Sequence, residues 1–420
     1  MRQFRHSLLP AVVVLFLIAF ATLMQAQTLT VMHNFGVKAG DGNIPYASLV
    51  MDSSGNLYST TLSGGAHNVG AVYRLSPDGS GGWNETTIYS FTGGADGGSP
   101  HAALVFDSSG NLYSTTIKGG LTSTTCNNSA PSKGCGVVFK LSPTAQGEWT
   151  ETVLYTFTGA SDGGCPYSGL VWDSAGNLYG TATVGGSANH GVVFKLNSNG
   201  TAWTETVLHS FAGKNDGSTP YAGVVFDPQG NLYGTTYGGG SAGLGVVYRL
   251  APQVSGSWKE ALLHTFQGQS AGDGAEPFAE VVLDKHGNIF GATSAGGSFN
   301  YGAVFELTRS NGFARTLLHS FSFGNGDGTF PNGVIFDRAG NLFGTTQGAG
   351  FNDGNGTIFK LTPGASGWTE TILFTFQGSK DGTYPNTRLF QDSAGRLYGA
   401  TIWGGTLGPT NGGVAYRFSH

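Results

Sequence analysis

The decapeptide DSSGNLYSTT occurs twice, beginning at Asp52 and again at Asp107, and five close variants follow along the chain. The glycines of the seven copies stand at positions 55, 110, 176, 230, 287, 340 and 395. Sequence repeated at so regular a spacing indicates like units that stack on one another, because each copy has to adopt the same local structure. The repeat therefore restricts the chain to an array or a ring of equivalent units.

Each unit contains four short segments rich in Val, Leu, Tyr, Phe and Thr, separated by Gly, Pro and Asp. One set reads ETTIYSF, AALVFD, NLYSTT and GVVFKL. Short apolar runs between turn residues indicate β-strands, and four strands per unit of this length are typical of a β-propeller blade. The sequence thus predicts an all-β fold, a seven-bladed β-propeller of four-stranded antiparallel blades.

The two ends of the repeat array complement each other. The last unit ends on GVAYRFSH, which matches a third strand, and TLTVMHNF near the start aligns with the fourth strands of other units. Closing a ring protects the strand edges that an open array exposes. We therefore expect residues 27–420 to form a single propeller domain, with the N-terminal strand completing the last blade.

Residues 1–26 differ from the rest in composition. Arg2 and Arg5 precede the apolar run AVVVLFLIAFATLM, and the small residue Ala26 follows it. This order is that of a secretory signal peptide, and the run is shorter than the ~20 residues that usually span a membrane. We expect residues 1–26 to be removed and the mature chain to be secreted, extracellular or periplasmic, without a membrane span. The alternative is an uncleaved anchor.

The chain contains three cysteines, and an oxidising compartment permits disulfides between them. Cys126 and Cys135 bracket the segment NNSAPSKG in the unit that is clearly longer than the others. We expect these two to form a disulfide that holds this loop. Cys165 stands in the turn DGGCP, where we expect a small turn residue and not a nucleophile.

Two acidic positions recur in every unit, one in Asp-x-x-Gly and one in Asp-Gly-x-x-Pro, and both are expected to form turns. One Asp per unit does not supply the six to eight oxygens that calcium binds. His33, His209, His264 and His319 occupy a strand position that is Tyr or Phe in other units, so they are interpreted as half-buried strand residues. We accordingly expect no metal site and no cofactor.

Charges on the third and fourth strands predict how these strands face each other. Most units have a basic residue on the third strand and Glu on the fourth, and the fifth unit reverses both signs, to Glu306 and Arg315. A double reversal is what a cross-strand ion pair produces. We expect Glu306 to face Arg315. The Trp two residues before the fourth-strand Glu is expected to pack between blades.

The motifs DSSGNLYSTT, Asp-Gly-x-x-Pro and GVVFKL resemble the GloVer (Gloeobacter–Verrucomicrobia) tandem repeat of exported bacterial proteins. The resemblance extends over essentially the whole chain after residue 26. It implies export and a repeat fold. It carries over no catalytic residues, because the family has no established activity.

Residues that occur in a single unit are the candidates for function. Glu280 and Arg388 occupy a position that is Ser, Ala or Gly in the first four units, near the expected central channel. They are expected to form a charged or ligand-orienting pair, or else to be solvated side chains that fill the channel. The loops after the second strands contain further candidates, namely His67, Asn68, His190, Tyr301, Asp353 and Trp403. A polar loop face that bears aromatic residues suits carbohydrate or peptide binding.

Three functions fit these residues. The first is a secreted, monomeric, non-catalytic module that binds a glycan or an extracellular protein. The second is an exported polysaccharide lyase or hydrolase built around Glu280 and Arg388, and the third is a structural component of the cell envelope. With a formal charge of −5 and no basic block, the chain has no nucleic-acid-binding footprint. It also lacks a phosphate loop, an HExxH motif and a recognisable nucleophile motif.

Overall fold

The computed structural model describes residues 27–126, 133–200, 202–324, 326–348, 354–406, 408 and 412–420. The predicted signal peptide and the candidate Asp353 therefore lie outside the described residues. Within the described ranges, no helix has the length and apolar character to cross a membrane. Regular structure there is almost entirely β-strand, with two single-turn 3-10 helices at Gln269–Ala271 and Arg309–Asn311.

The strands of the described residues, in chain order, are β1 (Thr28–Asn34), β2 (Gly42–Asn43), β3 (Val50–Met51), β4 (Leu57–Thr61), β5 (Ser63–Gly64), β6 (Ala71–Pro77), β7 (Trp83–Ser90), β8 (Val105–Phe106), β9 (Leu112–Thr116), β10 (Val137–Pro143), β11 (Trp149–Thr156), β12 (Val171–Trp172), β13 (Leu178–Ala182), β14 (Val192–Ser198), β15 (Trp203–Ser210), β16 (Val225–Phe226), β17 (Leu232–Thr236), β18 (Val246–Pro252), β19 (Trp258–Thr265), β20 (Gly274–Ala275), β21 (Val282–Leu283), β22 (Ile289–Thr293), β23 (Ala295–Gly296), β24 (Ala303–Thr308), β25 (Ala314–Ser320), β26 (Thr329–Phe336), β27 (Leu342–Gly348), β28 (Thr357–Gly364), β29 (Gly367–Thr375), β30 (Thr383–Pro385), β31 (Phe390–Gln391), β32 (Leu397–Trp403) and β33 (Val414–Ser419).

These strands form seven antiparallel blades. Blades 1 to 6 have the strand orders β3-β4-β6-β7, β8-β9-β10-β11, β12-β13-β14-β15, β16-β17-β18-β19, β21-β22-β24-β25 and β26-β27-β28-β29. Blade 7 consists of β31, β32, β33 and β1, with β30 also paired to β32. The predicted seven-bladed propeller of four-stranded blades is therefore confirmed.

The ring closes between the first and last strands of the described chain. β1 runs antiparallel to β33, with Thr28 opposite Ser419 and Asn34 opposite Val414. The outermost strand of blade 7 thus comes from the N-terminal end, as the missing fourth strand of the last unit predicts. Closure gives β33 a partner on both of its edges.

The Asp-x-x-Gly turn is built from side-chain hydrogen bonds. Asp52 accepts bonds from the backbone N–H groups of Ser54 and Asn56, both at 2.9 Å, and from the Tyr58 hydroxyl at 3.1 Å. Gly55 has a φ of 83°, a conformation that strains any residue with a Cβ. Burial acts to raise the pKa of Asp52, but these hydrogen bonds outweigh it and leave the pKa below its usual value. Equivalent turns form at Asp107, Asp173, Asp227, Asp284, Asp337 and Asp392.

The Asp-Gly-x-x-Pro segment fastens each blade to the one before it. In blade 3 the N–H of Cys165 donates to the carbonyl of Cys135 in blade 2, at 2.7 Å, and Cys165 has a φ of 52°. Cys165 is therefore a buried turn residue, as predicted. Cys126 and Cys135 form the predicted disulfide.

The hydrophobic core lies between the blades. Trp149 of blade 2 packs its ring against Tyr58 of blade 1, with centroids 6.0 Å apart, which confirms inter-blade packing for the fourth-strand Trp. The hydroxyl of Thr115 in blade 2 donates to the carbonyls of Pro166 and Ser168 in blade 3, at 3.2 and 3.0 Å. The repeated apolar and Thr positions therefore join neighbouring blades.

The prediction that Glu306 faces Arg315 is wrong. Glu306 lies opposite Thr316, and Arg315 lies opposite Leu307. Because neighbouring residues of a strand point to opposite faces, this offset of one residue places the two charges on different sides of the blade. Arg315 Nε instead lies 3.1 Å from Oδ1 of Asp273.

Candidate functional site

In every blade, the residue that follows the proline of Asp-Gly-x-x-Pro lines one central cavity. The proline precedes the innermost strand, so this residue occupies the same place around the axis each time. The cavity has a volume of about 480 Å³. The seven residues are Tyr46, His101, Tyr167, Tyr221, Phe278, Asn332 and Asn386.

The residues from blades 1 to 5 form an aromatic arc, Tyr46, His101, Tyr167, Tyr221 and Phe278. Their neighbouring ring centroids are 4.2, 4.9, 5.0 and 4.8 Å apart in that order. Aromatic rings at these separations attract one another, mostly edge to face or tilted. One side of the cavity is therefore a continuous aromatic wall.

His101 is a neutral member of the aromatic arc. Its Nδ1 lies 3.2 Å from the carbonyl oxygen of Tyr167, and because a carbonyl only accepts, Nδ1 carries the proton. Burial lowers the pKa of His101 to about 4, against the opposing effect of this hydrogen bond. At neutral pH the ring is uncharged, and Nε2 is its hydrogen-bond acceptor.

Blades 6 and 7 give the opposite side of the cavity a polar character. Gln347 donates from Nε2 to the side-chain oxygens of Asn332, at 3.1 Å, and Asn386. Asn332 in turn donates from Nδ2 to the carbonyl of Pro385 at 2.6 Å. These bonds fix the orientation of the amide groups at the cavity wall.

Glu280 and Arg388 also line the cavity and form an ion pair. Arg388 Nη1 donates to Glu280 Oε2 at 3.0 Å, and the two side chains are 33% and 26% exposed. The small Gly333 lies between their blades, and a Cβ there would stand 3.5 Å from Arg388 Cδ. Of the two alternatives for these residues, a pair or separate solvated side chains, the structure has the charged pair, while their role in ligand binding stays a prediction.

One buried N–H group of Arg388 is not hydrogen-bonded within the described part of the chain. Among the described residues, the buried Nε of Arg388 has no hydrogen-bond partner. Glu280 is the single carboxylate among the described residues that line the cavity, whereas a two-carboxylate glycosidase needs a second one. The described wall of the cavity therefore contains one carboxylate and one guanidinium, which are paired with each other.

The other predicted candidates lie elsewhere on the loops. Among the described residues that line the cavity, none is His67, Asn68, His190, Tyr301 or Trp403. The structure therefore does not bring them together with Glu280 and Arg388.

Three of these loop residues have recognisable structural contacts. Asn68 has a φ of 57° and accepts a bond from the N–H of Gly64 at 3.2 Å, so it shapes its own loop. The carbonyl of His190 accepts a bond at 2.9 Å from Thr219 of the next unit. Tyr301 packs against Phe323, with ring centroids 5.9 Å apart.

The aromatic arc was missed in the sequence because its position is not constant. The residue after the proline is Tyr, His, Tyr, Tyr, Phe, Asn and Asn in the successive units. A search for residues that occur in a single unit does not find this position. Aligning the seven units on the proline shows that five of them have an aromatic residue or histidine there.

Comparison with known proteins supports the repeat assignment. The family profile described as the Gloeobacter/Verrucomicrobia repeat matches residues 119–322 and 256–420, more than half of the chain. No curated protein matches the chain in sequence.

Several solved structures resemble the chain at low identity. PorZ of Porphyromonas gingivalis, a bacterial surface component of the type-IX secretion system, gives a TM-score of 0.51 at 15% identity, over 90% of this chain and 47% of that one. A protein of unknown function from Dyadobacter fermentans gives 0.45 at 11% identity, over 93% and 99% of the two chains. Such likeness shows the fold alone. By its repeat match over residues 119–420, the chain belongs to the Gloeobacter/Verrucomicrobia repeat family.

Proposed function

We propose that the protein is a non-catalytic module that binds a glycan in the central cavity. The observation that carries this proposal is the division of the cavity wall into the aromatic arc on one side and amides with the Glu280–Arg388 pair on the other. Sugars present apolar C–H faces, which pack on aromatic rings, and hydroxyl groups, which need oriented polar partners.

The charges at the wall favour an uncharged sugar. Glu280 and Arg388 offset each other, and His101 is neutral. A volume of about 480 Å³ lies within the usual range of small-ligand pockets and suits a short oligosaccharide segment.

We also propose that the protein works as a monomer outside the cytoplasm. The disulfide and the composition of residues 1–26 support export, because disulfides persist in oxidising compartments. N-terminal sequencing of protein recovered from the periplasm or the medium is expected to begin at Gln27. Recovery of a chain that still begins at Met1 would contradict export by cleavage.

The binding proposal is tested by a glycan array of the purified mature chain, followed by calorimetric titration of the best glycan. Tyr221→Ala and the charge-neutral double variant Glu280→Gln/Arg388→Gln are each expected to weaken binding about tenfold or more. His67→Ala and Tyr301→Ala, on the loops outside the cavity, are matched controls that should leave affinity unchanged.

Three outcomes contradict the proposal. If no glycan binds, the ligand class is wrong. If the loop variants abolish binding and the cavity variants do not, the site is wrong. If the bound glycan is shortened during incubation and Glu280→Gln stops this, the protein is an enzyme.

A further inference from the structure

Polar clusters recur at six of the seven interfaces between neighbouring blades, since the 6/7 interface has Phe374 and Leu29 at the two strand positions. Each contains one residue from the fourth strand of a blade, together with the Asp of Asp-Gly-x-x-Pro and a fourth-strand residue of the next blade. Three of these clusters hold His, Asp and Glu, with one ligand atom from each residue all within 4.8 Å of one another. They are His209–Asp216–Glu260 at the 3/4 interface, His319–Asp327–Glu370 at the 5/6 interface and His33–Asp41–Glu85 at the 7/1 interface.

The 3/4 interface has the geometry of an ion site. His209 Nε2 lies 3.4 Å from Oδ2 of Asp216 and 3.6 Å from Oε1 of Glu260. Two ligands that are each ~2.0–2.2 Å from one tetrahedral ion stand ~3.3–3.6 Å apart. Among the described residues, His209 Nε2 and Glu260 Oε1 are buried atoms that have no hydrogen-bond partner. An ion between them would satisfy both.

Two other interfaces that contain His already hold a cation from the chain itself. At the 4/5 interface Arg315 takes the place of the Glu, and its Nε lies 3.1 Å from Oδ1 of Asp273. At the 7/1 interface Lys38 Nζ lies 2.9 Å from Oε2 of Glu85. In both interfaces a basic side chain therefore lies beside an acid, next to the single Asp273 at 4/5 and next to Glu85 of the Asp41–Glu85 pair at 7/1.

The 3/4 and 5/6 interfaces lack such a cation. Across the described part of the chain, the acids of both pairs have ion-pair contacts with His209 and His319 and none with a lysine or arginine. Asp216 and Asp327 also accept hydrogen bonds from backbone N–H groups. The 5/6 interface repeats the same spacing, with His319 Nε2 lying 3.3 Å from Asp327 and 3.4 Å from Glu370.

We propose that the 3/4 and 5/6 interfaces each bind a divalent transition-metal ion of the Zn²⁺ type. One imidazole nitrogen and two carboxylates supply three ligands, and water supplies the fourth, a donor set that suits such ions. At the 3/4 interface the three side chains are 18–22% exposed, so an ion can enter from solvent. Since the ligands come from two blades, the ion fastens the blades together and stabilises the folded ring.

The test uses the mature chain, freed of metal with a chelator and by dialysis, and titrated with ZnCl₂ in a calorimeter. We expect two sites per chain and a rise in Tm on addition of Zn²⁺. Tyr stands in place of this His at positions 89 and 155, so His209→Tyr suits the fold. It should leave one site, and His209→Tyr/His319→Tyr should leave none.

His264→Tyr is the matched control, since the 4/5 interface holds Arg315 in place of the glutamate. It should retain both sites and the full Zn²⁺-dependent shift in Tm. Lys38→Met, which removes the built-in cation of the 7/1 interface, should add a third site.

The proposal is overturned if the wild-type chain binds no Zn²⁺. It is equally overturned if the double variant keeps its stoichiometry, or if His264→Tyr loses as much binding as His209→Tyr. In those cases the clusters are proton-sharing contacts, or the metal is held elsewhere.

Discussion

The 3/4 and 4/5 interfaces are neighbours in the ring and are built from corresponding residues of their units, yet they balance charge in opposite ways. At 4/5, Asp273 receives both His264, at 2.9 Å, and Arg315, at 3.1 Å. At 3/4 the arginine is replaced by Glu260, so two acids face one histidine. The fold therefore determines where the charged side chains meet, while the residues of each unit determine whether an acid there is paired with a basic side chain.

All seven interfaces are closed only while β1 pairs with β33, and deleting residues 28–34 removes that pairing. The deletion removes β1, leaves β33 with an unpaired edge and takes away His33 from the 7/1 interface. We expect the largest effect of all, loss of the cooperative thermal transition, as measured by circular dichroism. Val254→Ser, at a fully exposed loop residue, is the control. A deletion variant with an unchanged Tm would show that closure is not needed.

Arg315→Glu turns the 4/5 interface into a copy of 3/4. It removes the cation beside the largely buried Asp273 and adds a second acid. We expect the free energy of unfolding in metal-free buffer to fall by about 2–3 kcal/mol, as measured with urea. The reciprocal Glu260→Arg gives 3/4 the residues of 4/5 and should have a much smaller or a stabilising effect. If both variants lose the same free energy of unfolding, the balance of charges is not the cause of the loss.

The 2/3 interface, which contains Glu205, is expected to make the stability of the protein depend on pH. Burial, and secondarily the charge of Asp162, raises the pKa of Glu205 from 4.5 to about 7. Because the pKa of Glu205 is higher in the folded than in the unfolded chain, protonation of Glu205 stabilises the fold. This stabilisation is complete below pH 4.5 and is lost as pH rises through about 7. Glu205→Gln should therefore lose about 1 kcal/mol less stability than wild type between about pH 5 and about pH 9. Urea titrations of both proteins at the two pH values measure the free energy of unfolding. An equal loss of unfolding free energy in the wild type and the variant would contradict the prediction.

An effect of similar or smaller size is expected for Tyr155→Phe, also at the 2/3 interface. It removes the hydroxyl that donates to Asp162 at 3.0 Å but keeps the backbone bond from Thr158 at 2.9 Å. We expect a loss of about 0.5–1.5 kcal/mol in urea denaturation. Tyr384→Phe, at an exposed residue, serves as the control. A loss above that range would mean that the hydroxyl does more than complete one bond.

The fold could be predicted because its determinants are local and repeated. Seven copies of one turn give the number of blades, and the incomplete last unit indicates where the ring closes. Glu280 and Arg388 were placed together because equivalent positions of different blades converge on the axis. Such inferences need only the repeat and the ring.

The contacts that could not be predicted depend on register or on partners in another unit. Because the strand register differs by one residue from the expected one, Arg315 contacts Asp273 and not Glu306. The residue types of the two strands do not indicate this register. His209 meets a Glu260 that lies in the following repeat, so comparing charges within one unit cannot find the pair.

The pairing of β1 with β33 also affects how the polypeptide reaches its native state during translation. The first strand emerges early from the ribosome but has no sheet to join until Val414–Ser419 has been synthesised. All residues between β1 and β33 must therefore be synthesised before the ring can close. A late, long-range step of this kind slows the completion of folding and leaves an open intermediate that chaperones can bind.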